Sequence, residues 1–123
     1  MNMIRKKLGG AGEGVAAVFL QKQGYRILDT NVHTPYGELD IVALDSETLA
    51  FIEVKTRRGE QFGHPFDAVT AYKQKAIIKS SLEYIHKNNY FDFEYRFDVV
   101  GVCFNSPFDP KIELIKNAFE FEL

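Results

Sequence analysis

The chain has a single cysteine, Cys103, so no internal disulfide can form and a multi-cysteine zinc site is excluded. No apolar run approaches the roughly 20 residues of a membrane span, and the apolar stretch after Gly14 is short and lacks a cleavable signal pattern. Repeats, linkers and low-complexity segments are missing as well. These absences point to a cytoplasmic protein with no membrane partner. Positive charge is not in excess: 15 Lys and Arg against 17 Asp and Glu leave a formal net charge of −2, which argues against an indiscriminate nucleic-acid binder. What is present suits one folded domain, 46% hydrophobic and 26% charged over 123 residues, long enough for a real core.

The charge is unevenly spread. Between Lys55 and Lys87 stand Lys55, Arg57, Arg58, Lys73, Lys75, Lys79 and Lys87 against Glu60, Asp67 and Glu83, a local +4 that leaves −6 for the remainder. Basic charge beside an acidic cluster suits a metal-dependent phosphodiester enzyme, because the phosphate must approach carboxylates. From charge alone, a helix with a basic solvated face is the better reading.

Residues 37–58 carry the chemistry. Two runs rich in apolar residues, Gly37–Asp45 and Thr48–Arg58, flank Ser46-Glu47, the signature of an antiparallel hairpin. Alternation puts Glu38, Asp40, Val42 and Leu44 on one face with Leu49, Phe51, Glu53, Lys55 and Arg57. Leu39, Ile41 and Ala43 share the other with Ala50, Ile52, Val54 and Thr56. A two-residue loop pairs Asp45 with Thr48, and so sets Asp40 opposite Glu53 and Glu38 opposite Lys55. Opposed residues have Cβ atoms about 4.5–5.5 Å apart, where like charges destabilise. A facing pair of carboxylates therefore calls for a proton, a cation or plentiful water. The face turns apolar towards the loop, so something covers that end, and the charged end lies at the margin of the cover, where a cleft forms.

Residues 1–10, with Arg5, Lys6 and Lys7, read as a flexible basic arm, and residues 11–123 as one domain. A helix is expected from Ala11 to Gln23, closed by Gly24, with Glu13, Ala16, Ala17 and Leu20 on its inward stripe. Glu13 either looks into the site or complements the helix dipole. Tyr25–Val32 reads as a strand, and Gly59–Pro65 as a loop. A long helix follows from Phe66 to Lys87, with Ala71, Ile78, Leu82 and Ile85 facing inward. Gln74 falls on that stripe, where its amide takes an ordinary buried hydrogen bond or faces the cleft. Tyr95–Phe104 reads as a strand buried on both sides, joined by a right-handed crossover that makes it parallel to the hairpin. Ser106–Pro110 is a turn and Lys111–Phe119 an edge strand. The order is a mixed α/β sheet with helices against its faces.

Asp40 and, thirteen positions on, Glu53-Val54-Lys55 resemble the PD-(D/E)xK nuclease core, a restriction endonuclease-like αβββαβ unit. The wider wording resembles the YraN family of small bacterial proteins, close to Holliday-junction resolvases. It is carried by Gly24-Tyr25, Asn31, Gly37-Glu38-Leu39-Asp40, Phe51-Ile52-Glu53-Val54-Lys55, Phe62-Gly63, Pro65, Ala68-Val69, Lys73 and Arg96-Phe97-Asp98-Val99-Val100. The resemblance implies that Asp40 and Glu53 ligate a divalent metal, helped by the Val54 carbonyl and the first-helix Glu13, and that Lys55 is the catalytic lysine. Leu39 stands at the motif's proline position. His33-Thr34-Pro35-Tyr36 stand where relatives would carry more basic residues, which thins the DNA-facing charge.

Apart from any family, two or three carboxylates make an all-oxygen site suited to Mg²⁺ or Mn²⁺, and Lys55 is placed to neutralise charge on a phosphoryl group. The expected reaction is phosphodiester hydrolysis in a nucleic acid, DNA rather than RNA, in branched or junction structures. Two symmetric cuts in a four-way junction would favour a homodimer. Glu38 and Gln74 support the site, and Arg57, Arg58, Lys73 and Lys75 are candidates to contact phosphate. Against this stand a plain Lys55 salt bridge to Glu38 or Glu53, and an exposed strand end for Arg57 and Arg58. The competing functions are a non-catalytic module that binds nucleic acid or a protein partner, and a structural adaptor. Asp98 reads as a hydrogen-bond partner of Arg96 or a backbone amide, His33, His64 and His86 as surface or loop residues, and Cys103 as core.

Overall fold

The apolar alternation on either side of Ser46-Glu47 builds the expected hairpin. β2 (Gly37–Asp45) and β3 (Thr48–Arg58) pair antiparallel with Asp45 opposite Thr48. Ser46 closes the turn at φ 55°, the left-handed region that few non-glycine residues occupy. The computed structural model describes residues 3–58, 69–104 and 109–120, and their side chains except those of residues 3–10 and Arg58. The Gly59–Pro65 loop with His64, the expected helix start at Phe66, the Ser106–Pro110 turn up to Phe108 and the Arg58 side chain lie outside that set.

Around the hairpin stand α1 (Met3–Lys22), β1 (Tyr25–Thr34), α2 (Ala71–Lys87), β4 (Glu94–Phe104) and β5 (Lys111–Phe119). The five strands lie side by side in chain order; β3 and β4 are parallel and every other neighbouring pair is antiparallel. α1 packs on one face against Ile41, Ala43, Ala50, Ile52, Val100 and Val102, and α2 on the other against Val42, Phe51, Phe97 and Val99. The fold is therefore α/β, a mixed sheet between helices in the order expected of a restriction endonuclease-like core, with β5 added at an edge. Enclosing Phe51 on the α2 face contributes about 1.5–3 kcal/mol.

Three details depart from the sequence pattern. α1 starts at Met3, eight residues before Ala11, with the backbone helical through Gly9-Gly10 although each glycine costs about 1 kcal/mol in a helix. α2 starts at Ala71 because Thr70 caps it, its side chain accepting the Lys73 amide at 3.1 Å. The inward face of α2 is also rotated from the expected one. Ile77, Ser80, Ser81, Tyr84 and Ile85 are buried, while Ala71 is exposed and Leu82 is 40% exposed. The serines mask this face in the sequence; Ser81 Oγ donates to the Ile77 carbonyl at 2.7 Å and Ser80 Oγ pairs with Thr34 Oγ1 at 2.7 Å, so both enter the core satisfied.

At the loop end of the hairpin a polar clamp ties four strands. Asp98 is fully buried and accepts from Tyr25 Oη (2.8 Å), Arg96 Nε (2.9 Å) and the Asn117 amide (2.9 Å). Arg96 also reaches Asp45 at 2.6 Å, and Lys116 joins the same Asp45 carboxylate at 3.0 Å. Asp98 thus takes both partners expected of it, and its part is structural. Cys103 is buried in β4, as a core residue should be.

Candidate metal centre

The opposite end of the hairpin is where the sheet comes apart. The β2–β3 ladder stops at Ile41 and Ile52, and beyond it Asp40 turns its carboxylate to accept the Val54 amide at 2.9 Å. A side chain takes the place of a strand carbonyl, so the two strands splay. Asn31, alongside Asp40 on β1, has φ 52°, which further breaks the alternation. In consequence Leu39 packs on the α2 face with Val42 and Phe51, not with Ile41 as strict alternation requires. Glu38 likewise faces Asn31 and His33 (Nδ1 to Oε2, 3.3 Å) instead of Lys55.

Acidic side chains converge on this gap from three elements. Carboxylate oxygens of Glu13 on α1 and of Glu38 and Asp40 on β2 all lie within 4.8 Å of one another. α1 comes this close to the sheet because Gly12 faces Thr56, where a Cβ would sit 1.9 Å from the hydroxyl. Assigned nitrogen-first, the Asn31 amide donates to Glu38 Oε1 (3.1 Å) and to both oxygens of Glu13 (3.1 and 3.2 Å). Glu53 closes the group from β3. It is 4% exposed, and its Oε2 meets Lys55 Nζ at 3.4 Å and Lys73 Nζ at 3.6 Å. Its Oε1 is buried without a hydrogen-bond partner among the described residues.

The electrostatics follow from that crowding. Burial, then the Glu53 charge and a hydrogen bond shared with Glu53, push the Asp40 carboxyl up to about 8, with the Val54 amide pulling the other way and Glu13 adding to the rise. Carboxylates crowded in this way are relieved by a proton or by a cation. Glu13 is raised too, by burial first and then by Glu38 and Glu53.

The sequence model of the Uncharacterised protein family UPF0102 matches residues 12–102, a span that contains all four carboxylates and Lys55. The chain belongs to UPF0102. A UPF0102 protein of Geobacter sulfurreducens is 47% identical to it over 115 residues, 94% of this chain and 90% of that protein. One of Geobacter metallireducens is 42% identical over 98% of both chains, and one of Alkaliphilus metalliredigens 40% identical over 94% of this chain and all of the relative. UPF0102 is the YraN family that the sequence resembles.

For this UPF0102 chain the structure brings Glu13, Glu38, Asp40, Glu53 and Lys55 together. Three other expected residues are engaged elsewhere or turned to solvent. Gln74 donates to the Val69 carbonyl at 3.0 Å, Arg57 to the Thr56 carbonyl at 3.3 Å, and Lys75 is exposed on α2. Val54 contributes its amide, to Asp40. Lys73, expected on phosphate, is drawn to Glu53. Sequence reasoning gave Asn31 no role in the site; its left-handed backbone, invisible in the sequence, puts its amide there. Among the described residues no helix is long and apolar enough to cross a membrane.

The donor set fits a hard divalent cation. It is all oxygen: Glu13, Glu38 and Asp40 form the close group, and Glu53, outside it, adds a buried carboxylate oxygen with no hydrogen-bond partner among the described residues.

Proposed function

We propose that this UPF0102 protein is a Mg²⁺- or Mn²⁺-dependent nuclease that hydrolyses phosphodiester bonds in DNA, acting on branched or otherwise irregular structures. The observation that carries the reading is the crowding of carboxylates where the strands splay, Asp40 with Glu13 and Glu38 and under the charge of Glu53, whose Oε1 has no partner among the described residues and whose Oε2 meets Lys55. Asp40 and Glu53 would hold the ion, with Glu13 and Glu38 close by. Such an ion supplies positive charge to a phosphate oxygen and acidifies nearby water.

The chain's own groups do the rest. Lys55 is partly exposed and anchored by Glu53, so its ammonium faces the phosphate as a point charge and offsets the negative charge that builds up during displacement. Lys73, on the same carboxylate from α2, draws the backbone of the substrate towards an otherwise repulsive cluster. Asn31 holds Glu13 and Glu38 in place. The test is a panel of junction, flap and duplex DNA incubated with Mn²⁺. Cleavage should appear and be lost in Lys55→Ala and in Asp40→Asn. Cleavage indifferent to both changes, or no cleavage of any substrate in the panel, overturns the proposal.

A further inference from the structure

Two tyrosines close in sequence to residues of the site, Tyr36 before Glu38 and Tyr72 before Lys73, are displayed to solvent instead of packed. Tyr72, in the first turn of α2, is 85% exposed, and Tyr36, at the β1–β2 turn, is 51% exposed. The Tyr36 turn is held firmly. The Tyr36 amide donates to Thr34 Oγ1 at 3.1 Å, Thr34 Oγ1 pairs with Ser80 Oγ at 2.7 Å, and a Cβ on Gly37 would lie 3.8 Å from Ala76 Cβ. The turn is therefore seated on α2 over Ala76 and Ser80. Tyr72 lies one helical turn before Ala76, about 6 Å along the axis. The two tyrosines thus stand at one short stretch of α2.

That stretch leads into the metal centre and carries positive charge. Lys73, next to Tyr72, reaches Glu53. Glu38, two residues after Tyr36, belongs to the carboxylate group. Lys75 and Lys79 sit three and seven residues past Tyr72, on its side of the helix, and both are exposed. Exposed aromatic rings interleaved with lysines match an unpaired strand, whose bases offer free faces for stacking while its phosphates meet the cations. A duplex hides those faces between its own base pairs.

We infer that Tyr36 and Tyr72 are stacking platforms for unpaired bases beside the scissile phosphate, with Lys75 and Lys79 on the adjoining backbone, so that the substrate is single-stranded where it enters the site. This deepens the nuclease reading and rests on it. The chain has no tryptophan, so Tyr36→Trp and Tyr72→Trp each introduce the sole indole as a reporter. Titration of either with a twelve-residue oligothymidylate in EDTA and low salt should quench the indole saturably, and a blunt hairpin duplex of equal length should bind more weakly. The double variant Tyr36→Ala, Tyr72→Ala should lose roughly tenfold or more in oligothymidylate affinity, by polarisation with a labelled strand, at an unchanged melting temperature. Unchanged affinity in the double variant, or equal binding of the duplex, overturns the inference. Tyrosine-dependent binding with no cleavage of any substrate supports the single-strand track and sinks the nuclease reading; cleavage of fully paired DNA by the double variant at the wild-type rate does the reverse.

Discussion

Asp40→Asn should make the protein more stable at alkaline pH in the absence of divalent cations, although it removes a residue central to the proposed function. Asp40 titrates near 8 in the folded state and near 3.9 in the unfolded chain. The folded state therefore binds the extra proton, so this group's contribution is greatest below about pH 4 and is lost as pH rises towards 8. One proton corresponds to about 1.4 kcal/mol per pH unit, a ceiling of about 4 kcal/mol between pH 5 and 8. Because the charge is shared with Glu53 and Glu13, the change is spread over a wider range, and about half the ceiling is expected. Asparagine resembles the protonated acid: its oxygen still accepts from Val54 and its amide can donate to Glu53, without a charge. Urea denaturation in EDTA at pH 5, 6.5 and 8 measures the effect. The wild type should lose about 2 kcal/mol relative to Asp40→Asn across that range, and a saturating divalent ion at 100 times its Kd should return about 2.7 kcal/mol to the wild type alone. Parallel pH profiles for the two proteins would refute the argument, since Asp40 would then be an ordinary ionised carboxylate.

Gly12→Ala drives a Cβ into Thr56 Oγ1, and should cost about 1–3 kcal/mol in thermal unfolding and weaken Mn²⁺ stabilisation by moving Glu13; adding Thr56→Ala should recover part of both. Arg96→Met leaves Asp98 buried without its cation, for an expected loss of about 3–5 kcal/mol by chemical denaturation, eased when Asp98→Asn is combined with it. Thr70→Ala removes the cap of α2 and should lower stability by about 1 kcal/mol, seen as faster amide exchange in the first turn of the helix.

The hairpin, its register from Asp45–Thr48 inward, the parallel crossover and the edge position of β5 were legible because alternation, loop length and chain handedness leave few options. Asp40, Glu53 and Glu13 were legible as acids in positions otherwise reserved for apolar or neutral groups. Less legible were features in which side chains replace backbone, or small residues replace large ones. Ser80 and Ser81 turn the buried face of α2 away from its most apolar stripe, and Thr70 sets its start. The side-chain bond from Asp40 to Val54 and the left-handed Asn31 reverse the facing of Leu39, so Glu38 leaves its expected partner Lys55 for Glu13 and Asp40. Simple alternation assumes a continuous ladder, and the ladder ends where the acids meet.

That interruption also makes the backbone answerable to the chemistry. One peptide N–H of β3 leans on a group whose charge changes near neutral pH, not on another peptide. Whatever settles that charge, a proton or an ion, also sets how firmly the third strand is moored to the second. Under the proposed metal reading, loading the centre and tightening the fold are a single event, registered at the amide of Val54.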